Sequence, residues 1–127
     1  MSDSCPFCSE PVNYYVKDGT AGAFYDRFPV NEGHTLVVPF AHRSDLRDCL
    51  PEEVADIWKV VEQVISHLQT EYNPDEFNIG TNLGASAGQT VFHCHVHVIP
   101  RFVGDTANPR GGVRLVKESL VPYEQGD

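Results

Sequence analysis

The sequence predicts an α+β domain in which an antiparallel sheet of about five strands carries one long helix. Three observations lead there. Short aromatic and β-branched runs separated by tight turns occupy residues 13–38. A stretch beginning at Pro51 repeats its apolar residues every three or four positions. A last run, Val91–Ile99, places three histidines in strict alternation, at 93, 95 and 97.

Asn13-Tyr14-Tyr15-Val16 reads as the first strand, turned at Asp18-Gly19, and Ala23-Phe24-Tyr25 as the second, ending near Asp26. The loop Arg27–Gly33 leads to a third strand, His34–Val38, stopped by Pro39. Together they predict an antiparallel meander. Pro51-Glu52-Glu53 is a helix start, with proline at the first position and acids in the first turn. Val54, Ile57, Trp58, Val61, Ile65, Leu68 and Tyr72 form its apolar stripe, and Asn73-Pro74 ends it. Trp58 is expected in the core. His67, about 180° away at about 100° per residue, is expected as an exposed bystander. Phe77–Asn82 gives a fourth strand, and the small-residue loop Gly84–Thr90 precedes the fifth.

At 127 residues the chain is sized for one domain, with 41% hydrophobic residues for a modest core; a dimer is plausible on size alone. Eighteen acidic against nine basic residues give a net charge of −9. A nucleic-acid partner is not expected, because polyanion binding needs Lys and Arg to displace counterions. Any anionic ligand needs local devices, the best arginine group being Arg101, Arg110 and Arg114. No run approaches the length of a membrane span, and the start Met1-Ser2-Asp3-Ser4 is polar, so the default expectation is a cytoplasmic protein with no membrane partner. Cys5 and Cys8 form a Cys-x-x-Cys pair, which in a leaderless protein reads as a metal or redox pair before a disulfide.

The alternating run carries the chemistry. On a strand, His93, His95, His97 and Ile99 share one face, at roughly 6.6 Å intervals, and Phe92, Cys94, Val96 and Val98 share the other, a plausible core face. Three imidazoles in register point to a functional site. Metal binding by the row is one option, yet no Asp or Glu occurs between Glu76 and Asp105 to complete it. Nucleophilic catalysis by a neutral imidazole is the other. The flexible small-residue loop just upstream favours the second, since its backbone can direct N–H groups at phosphate oxygens.

His93-Cys94-His95-Val96-His97-Val98-Ile99, flanked by Gly88-Gln89-Thr90-Val91-Phe92 and Pro100-Arg101, resembles the signature of the histidine-triad (HIT) family, His-φ-His-φ-His-φ-φ with φ apolar. The likeness runs from Ala23 to about Arg114. It implies a single HIT-like domain over 1–127, with one long helix and a short one packed on the sheet, a short tail from about 115, and a homodimer. It also implies that His95 is the nucleophile on the α-phosphate of a nucleotide, through a nucleotidyl-histidine intermediate, without a catalytic metal. His97 and His34 match the histidines that line the phosphate site and help manage protons. Asp26 matches a ribose contact, and Asn82, Gln89 and Thr90 match contacts to the phosphates and leaving group. A zinc-binding subset of the family implies a structural zinc on Cys5, Cys8, His42 and His93. Asn108–Arg114 looks like the tail of the members that cleave dinucleoside polyphosphates, so the expected activity is hydrolysis or nucleotidyl transfer on such substrates. A nucleoside phosphoramidase is less favoured, since those members often carry a Trp near the C-terminus and this chain has only Trp58. A non-catalytic nucleotide-binding module is the other alternative.

Overall fold

The structure is a computed structural model describing residues 5–118. The polar start Met1–Ser4 and the tail beyond residue 118 lie outside the described residues. A single helical turn, α1 (Pro6–Ser9), precedes β1 (Val16–Asp18), β2 (Ala21–Tyr25) and β3 (Thr35–Pro39). The long helix α2 (Pro51–Tyr72), β4 (Glu76–Gly80) and β5 (Val96–Arg101) follow. The five strands form one sheet in the order β1-β2-β3-β5-β4, every pair antiparallel.

Helix α2 has the predicted ends. Pro51 opens it, and the Glu53 carboxylate accepts the Leu50 N–H (2.7 Å), an N-terminal amide with no partner in the helix ladder. Asn73, left-handed at φ 50°, closes it ahead of Pro74. The face it buries is Ile57, Val60, Val61, Val64 and Leu68. Trp58 is not on it: the ring is 42% exposed. The buried arc runs from Val60 to Val61 and centres on Val64 and Ile57, so at about 100° per residue Trp58 lies roughly 110° from its centre, on the exposed flank. His67 is no bystander either. It packs at a tilt of 34° against Tyr15 (4.6 Å between centroids), with Nε2 3.2 Å from the Tyr25 hydroxyl.

Period-two alternation divides the sheet. Ala21, Ala23, Val37, Val96 and Val98 face α2 and are fully buried. Phe24 and Leu36, directly paired, and His97, paired with Leu36, occupy the other face. The apolar residues around the histidines thus do form core, with one correction. The last strand begins at Val96, so Phe92, His93, Cys94 and His95 lie before it. Released from the pleat, Phe92 turns out to solvent (49% exposed) and His93 turns inward (1%). The regular row of three imidazoles is therefore broken.

Candidate functional site

The segment carrying His93–His95 has no strand ladder, so other bonds fix it. Cys94 N–H donates to the Arg43 carbonyl (2.6 Å), and the Thr81 hydroxyl donates to the His95 carbonyl (2.7 Å). Arg43 is itself held by a two-bond ion pair to Glu53, the buried carboxylate at the start of α2. Thr81 and Arg43 were not singled out from the sequence, since their roles depend on backbone groups far away in the chain.

His95 Nδ1 lies 2.8 Å from the His93 carbonyl, which only accepts, so the proton sits on Nδ1. In that tautomer of the neutral ring the lone pair is on Nε2. A cavity of about 630 Å³ opens beside it, within the range of small-ligand sites. His95, His97, Asp26, Asn82, Gln89 and Thr90 all line this cavity, with Phe7, Phe24 and Leu36 supplying apolar wall. Arg27, ion-paired to Glu10, is the arginine of the lining. Arg101 does not join it. It bonds Asp105 and Asn78 beside a different hollow, at the β4–β5 edge.

His34 stands behind His97 and is buried. Val30 N–H donates to His34 Nδ1 (2.9 Å), so neutral His34 carries its proton on Nε2. That N–H meets His97 Nδ1 at 3.0 Å, which leaves the His97 proton on Nε2. The order is backbone amide, His34, His97. Burial pushes both rings below the usual imidazole range, His97 to about 4, so both are neutral at pH 7. Asp26 Oδ2, 3.5 Å from His34 Nε2, opposes the shift at His34 without cancelling it. Donor atoms of Asp26, His34 and His97 cluster closely enough for an ion. The Val30 bond argues for the proton chain instead, because an ion on His34 Nε2 would force a proton onto Nδ1, facing another N–H.

The small-residue loop is less free than its composition suggested. Ala85–Ala87 form a short helical turn between Gly84 and Gly88, both at φ 97°, a region that favours glycine. The Ala87, Gly88 and Gln89 amides donate to carbonyls inside the loop. The Gln89 side chain clasps it: Oε1 accepts Gly84 N–H (2.8 Å), and Nε2 donates to the Ser44 and Val91 carbonyls (2.6 and 3.0 Å). These amides are not directed at a ligand. Asn82 and Thr90 keep exposed side chains at the cavity wall.

The second cluster joins α1 to the far side of His93. Donor atoms of Cys5, Cys8, His42 and His93 all lie within 4.8 Å of one another. The nearest separations are 3.3 Å from Cys8 Sγ to His42 Nδ1 and 3.5 Å from each thiol to His93 Nδ1. Metal–sulfur and metal–nitrogen bonds of about 2.3 and 2.0 Å set a tetrahedral edge of about 3.5 Å, so the donors fit a closed S₂N₂ site. His93 Nε2–H donates to the Pro39 carbonyl (2.9 Å), turning the Nδ1 lone pair toward the thiols. Burial holds His93 below the usual imidazole range, in the neutral form a ligand needs.

Comparison with known proteins agrees with this geometry. The family described as HIT domain matches residues 10–104. AP-4-A phosphorylase of Mycobacterium tuberculosis is 39% identical over 101 residues, 77% of this chain but only 52% of that protein. Adenylylsulfatase HINT3 of Arabidopsis thaliana is 31% identical over 106 residues, 80% of this chain and 54% of that one. A Zn-bound histidine triad family protein from Mycobacterium smegmatis superposes with a TM-score of 0.76 at 37% identity, over 85% of this chain and 82% of that one. With the family matched across the sheet, the long helix and the His95 cavity, the chain belongs to the HIT domain family.

Proposed function

We propose that this chain is an enzyme that hydrolyses, or transfers the nucleotidyl group of, a dinucleoside polyphosphate-like substrate. The observation that carries the reading is His95 at the cavity, its Nδ1 proton tied to the His93 carbonyl and its Nε2 left to react. In the first step Nε2 attacks the α-phosphorus. An N–P bond forms, the P–O bond to the leaving phosphate breaks, and the leaving oxygen keeps the electron pair. The bond from Nδ1–H to the carbonyl stabilises the positive charge that develops on the ring. In the second step the oxygen of water or another acceptor attacks the same phosphorus, its proton passes to solvent, and the N–P bond breaks with its electron pair returning to Nε2.

His97 and His34 manage hydrogen bonds and protons around these steps. In the free protein His97 is neutral at pH 7, so its Nε2–H acts as a hydrogen-bond donor. Asp26 is assigned to the ribose hydroxyls, and Asn82 and Thr90 to the phosphates. Gln89 serves by holding the loop. Relatives named AP-4-A phosphorylase and adenylylsulfatase support a nucleotide substrate. The single domain and a homodimer belong to the same reading.

Cys5, Cys8, His42 and His93 are assigned to zinc, a reading supported by the donor set and by the Zn-bound relative. Zinc there is structural: it ties the N-terminal turn to the sheet, and none of its four ligands is His95. Mass spectrometry of protein quenched during turnover tests the main reading. A nucleotidyl adduct on His95 is expected. An adduct elsewhere, or turnover undiminished in a His95→Ala variant, removes it.

A further inference from the structure

Phe7 lies between the two cysteines, and its ring reaches three others. Its centroid is 5.3 Å from Phe24, 5.6 Å from His93 and 5.6 Å from His95, each edge-on at 70°, 72° and 87°. One side chain thus touches a ring of the metal cluster, the reacting ring and a cavity wall at once. It also lines the cavity itself. His95 is further bonded to the backbone of His93, so the two histidines and Phe7 form one packed unit.

Helix α1, which presents Phe7, has no means of standing alone. It has four residues, buries none of them and lacks a side-chain cap. One isolated helical turn is unstable in water. Local bonds to the Cys5 carbonyl from Cys8, Ser9 and the Ser9 hydroxyl shape the turn but do not attach it to the sheet. Among the described residues, the attachments are the cysteine–histidine cluster on one side, the Phe7 contacts on the other, and an exposed Arg27–Glu10 ion pair just past the turn.

We propose that Phe7 is a positioning residue that transmits occupancy of the Cys5/Cys8/His42/His93 site to the nucleotide cavity and to His95. The inference rests on the zinc and nucleotide reading above. With the four donors drawn onto one ion, α1 is fixed and Phe7 is pressed between Phe24 and His95. Without the ion the turn is released, the cavity loses a wall, and the reacting ring loses its edge contact.

The test is calorimetric titration of AMP into zinc-loaded and chelator-treated protein, for the wild type, Phe7→Ala and Phe7→Leu. Zinc removal should weaken AMP binding by about tenfold in the wild type, in the usual range for coupled sites. Loaded Phe7→Ala should bind about tenfold more weakly with its zinc content unchanged, and removing zinc from it should add less than about twofold. Phe7→Leu, which keeps a bulky apolar group, should recover most of the loss. Losses that multiply, loaded Phe7→Ala binding AMP like the wild type, or Phe7→Ala that no longer holds zinc would each overturn the proposal. If circular dichroism shows the metal-free protein unfolded, the reciprocal measurement decides: in chelator competition saturating AMP should tighten zinc about tenfold in the wild type and Phe7→Leu and less than about twofold in Phe7→Ala, and equal tightening in all three overturns the relay. Failure of the nucleotide reading has a different signature, a loaded wild type that binds no AMP.

Discussion

His34 Nε2 lies 3.0 Å from His97 Nδ1, and both rings are kept neutral chiefly by burial. Since the Val30 amide fixes the His34 proton on Nε2, this contact sets the tautomer of His97 from behind, out of reach of a ligand. The pair has a measurable consequence in the stability of the fold.

The folded-state proton affinity of His97 is depressed, from 6.5 to about 4. Its contribution to stability is therefore fully present above pH 6.5 and is lost as pH falls toward 4, where the unfolded chain takes up the proton more readily. Urea unfolding between pH 7 and 4.5 should show a decline to which His97 contributes of order 2–3 kcal/mol. His34 and His93 add in the same direction. A His97→Asn variant should have a shallower decline over this window. An unchanged slope would show that His97 is not held neutral.

Replacing His95 with Ala should lower turnover of a dinucleoside polyphosphate by roughly 10³-fold or more, as expected for loss of a covalent nucleophile. The fold should persist, because the segment is held by backbone bonds from Cys94 and to the His95 carbonyl. Steady-state kinetics alongside a thermal melt separate the two effects.

Cys8→Ala removes one of two thiols from the four-donor cluster. Bound zinc, read by elemental mass spectrometry, should fall to background. With free metal at a hundred- to a thousand-fold excess over Kd, the lost stabilisation is roughly 3–4 kcal/mol. The wild type should show the same drop after chelation, and the variant should not respond to chelator at all.

Gln89→Glu keeps an acceptor for Gly84 N–H but cannot donate to the Ser44 and Val91 carbonyls. Buried polar groups left without partners cost about 1–3 kcal/mol each. Hydrogen exchange should accelerate across 84–91, and KM should rise while helix α2 keeps its protection. Exchange indistinguishable from wild type would mean that Gln89 is not the clasp.

The local patterns that depend on near neighbours were legible in the sequence. Helix α2 begins at Pro51 and ends at Asn73 because proline, first-turn acids and a left-handed asparagine act within one turn. Val96 and Val98 point into the core opposite His97 because a strand alternates. The same rule failed at Phe92 and His93, which precede the strand and follow no pleat. It failed for Trp58, because the width of a buried helix face is set by the sheet beneath it, and for His67, because nothing in α2 announces Tyr15 and Tyr25.

Residue types and spacings alone determined the α+β class, and they pointed to the histidine cluster as the proposed chemical centre and to the Cys-x-x-Cys pair as a proposed metal or redox pair. Tertiary structure decided which nitrogen of each ring carries its proton, because the deciding partners are the Val30 amide and the Pro39 and His93 carbonyls. It also brought the donor atoms of His93 within 4.8 Å of those of Cys5, Cys8 and His42, while His95 and His97 line the cavity. Backbone groups carry no label in a sequence, and contacts between residues 85 or more positions apart exist only once the chain has folded.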